Sequence, residues 1–256
     1  MLLVIDVGNT NTVIGVFEND RVKKDWRIKS VRDTTADEFN ITAKALFRDG
    51  GIDPGKIEKA VISSVVPPAV AILDTFCRKY LDIEPLWVTP EAARSLIPIL
   101  YHNPAEVGSD RVVNAVAAYD KYCCGLIVVD FGTATTFDVI SANGEYLGGA
   151  ITPGIAISSE ALFRTASRLP RVDIFNPPEN VIGKDTTDSI KSGIIYGYAA
   201  LVDGMVERMQ DEMGEPLKVV ATGGLSPLIS RVSNTIEHVE EKLTLEGLKM
   251  ISKKLS

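Results

Sequence analysis

Asp6 ends the apolar run Leu2–Ile5 and opens directly onto "VGNTNTV", a glycine followed by small polar residues. Asp130 does the same in "LIVVDFGTATTFDV". A strand that delivers a carboxylate into such a turn supplies oxygen for a hydrated Mg²⁺ and backbone N–H groups for phosphate oxygens. Gly8 admits close backbone approach, and Asn9, Thr10, Asn11 and Thr12 add side-chain donors. The plainer reading is a hairpin turn whose Asp and Asn satisfy local backbone groups; recurrence of the pattern favours phosphate. No GxxxxGK[ST] run occurs, so P-loop chemistry has no support.

A third carboxylate lies in "YHNPAEVGSDRVVNAVAAY", residues 101–119. Gly108 and Ser109 precede a helical pattern of Val112, Val116 and Tyr119, which puts Asp110 and Arg111 in its first turn. The helix dipole explains an Asp there but not an Arg. Asp110 can then accept a hydroxyl proton while Arg111 holds a substrate anion, preferably a carboxylate met by two N–H groups.

Weaker signals accompany these. "VVATGGLSPLI" at 219–229 ends a strand in Gly223–Gly224, where adenine or ribose can pack on bare backbone, though a tight strand-to-helix turn needs the same glycines. "GGAITPG" at 148–154 leads into a helix start that can receive an anion. "GKDTTDSIKSG" starts another helix, with Asp185 as cap, Asp188 at the capping-box position and Thr186 in the first turn. That helix carries Gly193, Gly197, Ala200 and Gly204 at three- and four-residue spacing. Each glycine costs about 0.8–1.0 kcal/mol relative to alanine, so close approach of the chain's own core or of a second subunit must compensate. Spacing alone leaves both open. His102 and His238 have no evident metal or nucleophile partner and read as structural.

The elements that must position these groups repeat. Residues 126–143 align with residues 2–19 without a gap, keeping Asp6/Asp130, Gly8/Gly132 and Thr12/Thr136 in register. Each half reads as three consecutive strands, 2–6, 12–17 and 21–28 in the first and 126–130, 134–140 and 145–150 in the second, followed by helices and strands. The remaining pattern predicts helices over 35–48, from Pro67, 155–167, 186–211 and from Thr244, with strands at 59–66, "LWVTP" and "LKVVATGG". This predicts an α/β chain of two tandem units, 1–120 and 121–256, each a mixed sheet with helices on both faces, enclosing a cleft.

Composition excludes other classes. The 256 residues are 45% hydrophobic and 24% charged, ordinary for a globular protein. A net charge of −7 argues against a general nucleic-acid binder. No apolar run spans a bilayer, and the N-terminal run breaks at Asp6, unlike a signal peptide. Cys77, Cys123 and Cys124 read as thiols of a reducing cytosol.

"DVGNTNTVIGVF", "YHNPAEVGSDR", "VVDFGTATTFDVI", "GGAITPG", "GKDTTDSIKSG" and "ATGGLSPLI" together resemble the type III pantothenate kinases over essentially the whole chain. The resemblance implies two ribonuclease H-like domains of the actin-like ATPase fold. It implies phosphorylation of pantothenate by ATP, the first step of coenzyme A synthesis, in the cytoplasm. By matching positions, Asp6, Val7, Gly8, Asn9, Thr10, Asn11, Thr12 and Val13 would bind ATP phosphates, with Asp6 holding Mg²⁺ through water and Thr133 adding a contact. Asp130 would hold K⁺ or NH₄⁺. Tyr101, Gly108, Ser109, Asp110 and Arg111 would form the pantothenate pocket, with Asp110 as base. Thr186 would reach pantothenate across a homodimer interface that completes the site. Ser109 stands where the family commonly has Ala. Another kinase or phosphatase of the superfamily would have no reason for "GSDR"; a non-enzymatic transcription-accessory relative should have lost the acid–base pair.

Overall fold

The computed structural model describes residues 1–166 and 169–255. It divides into two units, Met1–Asp120 with the segment from Leu243, and Lys121–Lys242.

In the first unit, β1 (Leu2–Val7) lies between antiparallel β2 (Asn11–Glu18) and a strand parallel to it, and β3 (Arg21–Lys29) extends the hairpin. Asn19 and Asp20, both at positive φ, make the two-residue turn between β2 and β3, as hairpin twist requires. Helix α1 (Ala36–Asp49) starts with a capping box between Thr35 and Glu38. β4 (Lys59–Ser64) then runs parallel to β1, and α2 (Pro67–Phe76) begins with proline where no N–H is needed. β5 (Leu86–Trp87) completes the sheet order β3-β2-β1-β4-β5. α3 (Pro90–Ala93) and α4 (Ser109–Tyr122) follow.

Alternation along the central strands separates two faces. Leu3, Ile5, Val7, Ala60 and Ile62 pack with Phe39, Phe47, Leu73 and Phe76 of α1 and α2. Cys77 is buried in that layer, which pushes its thiol up to about 12.

The second unit repeats the plan. β6 (Leu126–Phe131), β7 (Ala134–Ile140) and β8 (Tyr146–Pro153) form the meander, followed by α5 (Ile155–Thr165) and α6 (Thr186–Met213). Residue 167, to which the sequence pattern extends α5, lies outside the described residues. β9 (Lys218–Thr222), α7 (Ser226–Ile229) and β10 (His238–Val239) complete a sheet ordered β10-β9-β6-β7-β8. Strand for strand this is the first order again, with β9 parallel to β6 as β4 is to β1. Ile127, Val129, Phe131 and Val219 pack on Ile195, Tyr198, Val202 and Val206 of α6.

Two expectations need correction. The last helix, α8 (Leu243–Lys254), which halving the chain assigns to residues 121–256, belongs to the first unit. It covers the face of β1, β2 and β4 opposite α1 and α2, where a Cβ on Gly15 would lie 3.2 Å from Leu245 Cδ1. The repeat is also not gapless in space. Asp6 pairs with Val13, leaving residues 7–12 between them, whereas Asp130 pairs with Thr136, leaving only 131–135. The second turn is one residue tighter, so Thr136 faces Asp130 while Thr12 faces Val7.

Candidate active site

Asp6 sits next to the last residue of β1, and Ser63 is its register partner on β4. The Ser63 hydroxyl, fully buried, donates to Asp6 Oδ1 at 2.5 Å. Beyond Asp6 the Gly8 N–H donates to the Asn11 carbonyl at 3.0 Å and closes the turn. Ser30, from the loop after β3, supports it from behind. Its N–H donates to Thr10 O at 2.9 Å and its Oγ to Gly8 O at 2.7 Å. That bond uses the one Ser30 hydroxyl proton, so the 2.8 Å contact with Thr12 Oγ1 has Thr12 as donor. Thr12 is 4% exposed and braces the turn from inside, while Asn9, Thr10 and Asn11 are exposed on it and Val13 is half-buried. Val65 N–H donates to Val7 O at 3.1 Å, so the segment after β4 continues alongside the turn.

The start of α4 is fastened to the same strand end. Ser109 Oγ donates to Ser64 O at 3.1 Å, and Val112 N–H to Gly108 O at 3.2 Å. A Cβ on Gly108 would lie 2.5 Å from Asp110 Oδ1, so glycine is what leaves the carboxylate its place. Arg111 N–H donates to the same oxygen at 2.8 Å. Burial pushes the Asp110 pKa above the usual carboxylate range, against the Arg111 N–H bond and guanidinium, which favour the anion. Asp6 is raised to about 7, first by burial and then by the Asp110 charge; the Ser63 bond and Arg27 oppose this. The Asp110 charge reaches Asp6, and Ser63 and Ser64 tie Asp6 and the start of α4 to one strand end, so the structure brings the first turn and the "GSDR" run into one site. Arg111 is 9% exposed within it. Tyr101 lies on the surface, before the 3₁₀ turn Pro104–Glu106.

In the second unit, Gly132 N–H donates to Ala134 O at 3.1 Å, and Thr133 is exposed at the turn tip. Gly154, at the start of α5, donates to Thr133 O at 3.1 Å, and a Cβ there would lie 2.2 Å from that oxygen. "GGAITPG" therefore buttresses the second turn. Gly223, at φ +88°, packs on Asp130: a Cβ would lie 2.5 Å from its Oδ1. This glycine makes room for a carboxylate of its own chain, a use that pattern reading in terms of adenine or ribose does not anticipate. Thr186 is exposed one residue after its cap, Asp185, whose Oδ1 accepts from Asp188 N–H at 2.8 Å. It lines an open groove of about 710 Å³ with Lys184, Ser189 and Gly193.

Ser63 and Ser30 are the site residues that motif reading misses. Ser63 follows from strand pairing: "ISS" ends a strand that the fold sets parallel to "IDV", and only that register puts a hydroxyl beside Asp6.

The family model for type III pantothenate kinase matches residues 2–208. The chain belongs to the type III pantothenate kinase family. Curated members of that family include one from Desulforapulum autotrophicum, 64% identical over 98% of this chain and 96% of the relative. Another, from Desulfatibacillum aliphaticivorans, is 60% identical over 100% and 99%. Among solved structures, a protein described as a Baf family transcriptional activator from Campylobacter jejuni superposes with a TM-score of 0.62 at 21% identity, covering 98% of each chain. Component A of the (R)-2-hydroxyglutaryl-CoA dehydratase of Acidaminococcus fermentans gives 0.57 at 14% identity, covering 100% and 99%. These likenesses place both units in the actin-like ATPase fold. Among the described residues no helix is long and apolar enough to cross a membrane.

For a type III pantothenate kinase the geometry is chemically apt. Beyond Asp6 the turn exposes Asn9, Thr10 and Asn11, and Asp110 has the raised proton affinity useful in a general base.

Proposed function

We propose that this chain transfers the γ-phosphoryl group of ATP to the primary alcohol of pantothenate, giving 4′-phosphopantothenate and ADP, the first step of coenzyme A synthesis. The observation that carries the reading is that adjacent residues of one strand end, Ser63 and Ser64, hold Asp6 and the start of the helix bearing Asp110, in a chain of this family. Asp110 takes the hydroxyl proton as the new O–P bond forms and the bond to the β-phosphate oxygen breaks. Arg111 holds the pantothenate carboxylate, with Tyr101, Gly108 and Ser109 shaping the pocket. The first turn, Asp6 to Val13, and Thr133 of the second receive phosphate oxygens. Catalysis then consists of positioning and charge neutralisation.

Asp6 suits Mg²⁺ held through water: a hard oxygen donor at a strand end, one oxygen already fixed by Ser63. Mg²⁺ bound there would neutralise charge on the transferring phosphates. Asp130, set against bare Gly223 backbone, suits K⁺ or NH₄⁺.

We also read the molecule as a homodimer of the cytoplasm in which Thr186 contributes to the partner's pantothenate pocket. In support, a Cβ on Gly193 or Gly197 meets nothing within 4 Å, and Ala200 is exposed beside them, so the bare face of α6 does not pack on the chain's own core. Phe175, Val181 and Ile182, at 67%, 63% and 73% exposure, add apolar surface to the same unit.

The test is ADP release by purified protein with Mg²⁺ and ATP, with and without pantothenate, in K⁺ against Na⁺ buffer. Pantothenate-dependent release that rises in K⁺ supports the reading. Release indifferent to pantothenate contradicts it.

A further inference from the structure

Ser63 and Thr222 occupy the same place in the two repeats, each the parallel register partner of the strand-end aspartate, Asp6 or Asp130. Their hydroxyls do different things. Thr222 Oγ1 donates to the Glu240 carbonyl at 2.8 Å and so secures the segment beyond β10. Ser63 Oγ spends its single proton on Asp6 Oδ1 at 2.5 Å. Ser63 is fully buried on a central strand, so its hydroxyl is as fixed as the sheet. The next residue, Ser64, accepts from Ser109 and thereby fastens the start of the helix carrying Asp110. Two consecutive residues thus set the position of both carboxylates.

We propose that Ser63 is a positioning residue for phosphoryl transfer: by holding Oδ1 it fixes the Asp6 carboxylate in one orientation and leaves Oδ2 to meet the hydration shell of a divalent cation on the nucleotide. The proposal rests on the kinase reading for its reaction, but its binding consequence does not. A hydrogen bond to a charged group is worth about 1.5–3 kcal/mol, roughly a 10- to 100-fold change in an equilibrium. A carboxylate released from Ser63 meets the cation from several rotamers and loses a share of that factor.

The experiment compares wild type, Ser63→Ala and Ser63→Thr. Calorimetry measures binding of a non-hydrolysable ATP analogue with Mg²⁺ and with EDTA, and kinetics measure the Mg²⁺ half-saturation and the pantothenate KM. Ser63→Ala should raise the Mg²⁺ half-saturation about tenfold and shrink the Mg²⁺-dependent part of analogue binding by a similar factor. Its metal-free binding and pantothenate KM should stay within about twofold. Ser63→Thr, which keeps the hydroxyl, should restore both Mg²⁺ readouts. Wild-type values for Ser63→Ala, or a fall in thermal stability without any Mg²⁺ effect, would overturn the proposal. Wild-type protein that binds the Mg²⁺ analogue but does not use pantothenate removes the kinase reading alone, with the calorimetry still deciding on Ser63. Wild-type binding that ignores Mg²⁺ overturns both.

Discussion

Asp110 and Asp6 are the residues on which the chemistry turns, and their environments make them separable. If Asp110 is the base, Asp110→Asn should lower turnover by roughly 10²–10⁴-fold while calorimetric ATP binding persists. Near-normal turnover would leave Asp110 as a helix-dipole residue. Asp6 has a signature in stability. Its folded pKa of about 7 lies above the ordinary aspartate value of 3.8, so between those values the native state binds more protons than the unfolded chain. Stability without Mg²⁺ should therefore fall as pH rises from about 4 to 7, by at most about 1.4 kcal/mol per pH unit from this group, and level off above. Asp6→Asn should be more stable than wild type at pH 8 and lose most of that advantage at pH 5. Melting temperatures at the two values check this; an advantage independent of pH would show that Asp6 is not strained by burial. Both acids, with Arg111 beside one of them, were legible in the sequence because each stands where its local pattern needs a reason. Ser63, Ser30 and the inward turn of Thr12 were not, because hydroxyl partners 22 and 57 residues away follow from strand register rather than spacing.

At the scale of elements, glycines place the carboxylates. Gly223→Ala asks a side chain to adopt φ +88° and to occupy the space of Asp130 Oδ1. The variant should lose stability and, if Asp130 holds the monovalent ion, lose K⁺ stimulation before it loses Mg·ATP binding. Kinetics in K⁺ and Na⁺ buffers test it: unchanged K⁺ stimulation in a folded Gly223→Ala protein would separate Asp130 from the cation. The meanders, the first helix, and the long α6 with its Asp185 cap were readable from period and capping residues, since these are local. The one-residue difference between the turns was not: identity at Thr12 and Thr136 hides a shift that only strand pairing reveals. β10, two residues long, has no period to detect.

For the whole molecule, duplication announced the architecture: two sheets of the same order. What halving could not give is the return of α8 to the first unit, since an amphipathic helix does not say which sheet it covers. The exposed glycine face of α6 carries the dimer proposal. Gly197→Leu has room for its side chain within the monomer, so it should fold and bind ATP while losing dimerisation and pantothenate turnover together. Sedimentation equilibrium with kinetics decides, and a fully active monomer would contradict the shared site.

The central claim is that Asp6 and Asp110 belong to a site that phosphorylates pantothenate. Its most direct test is transfer of labelled γ-phosphate from ATP to pantothenate by wild type and Asp110→Asn, with the product identified by mass. Label should appear in 4′-phosphopantothenate with wild type and fall by at least about 10²-fold with the variant. Label released only as inorganic phosphate, or transferred equally by both proteins, would contradict it.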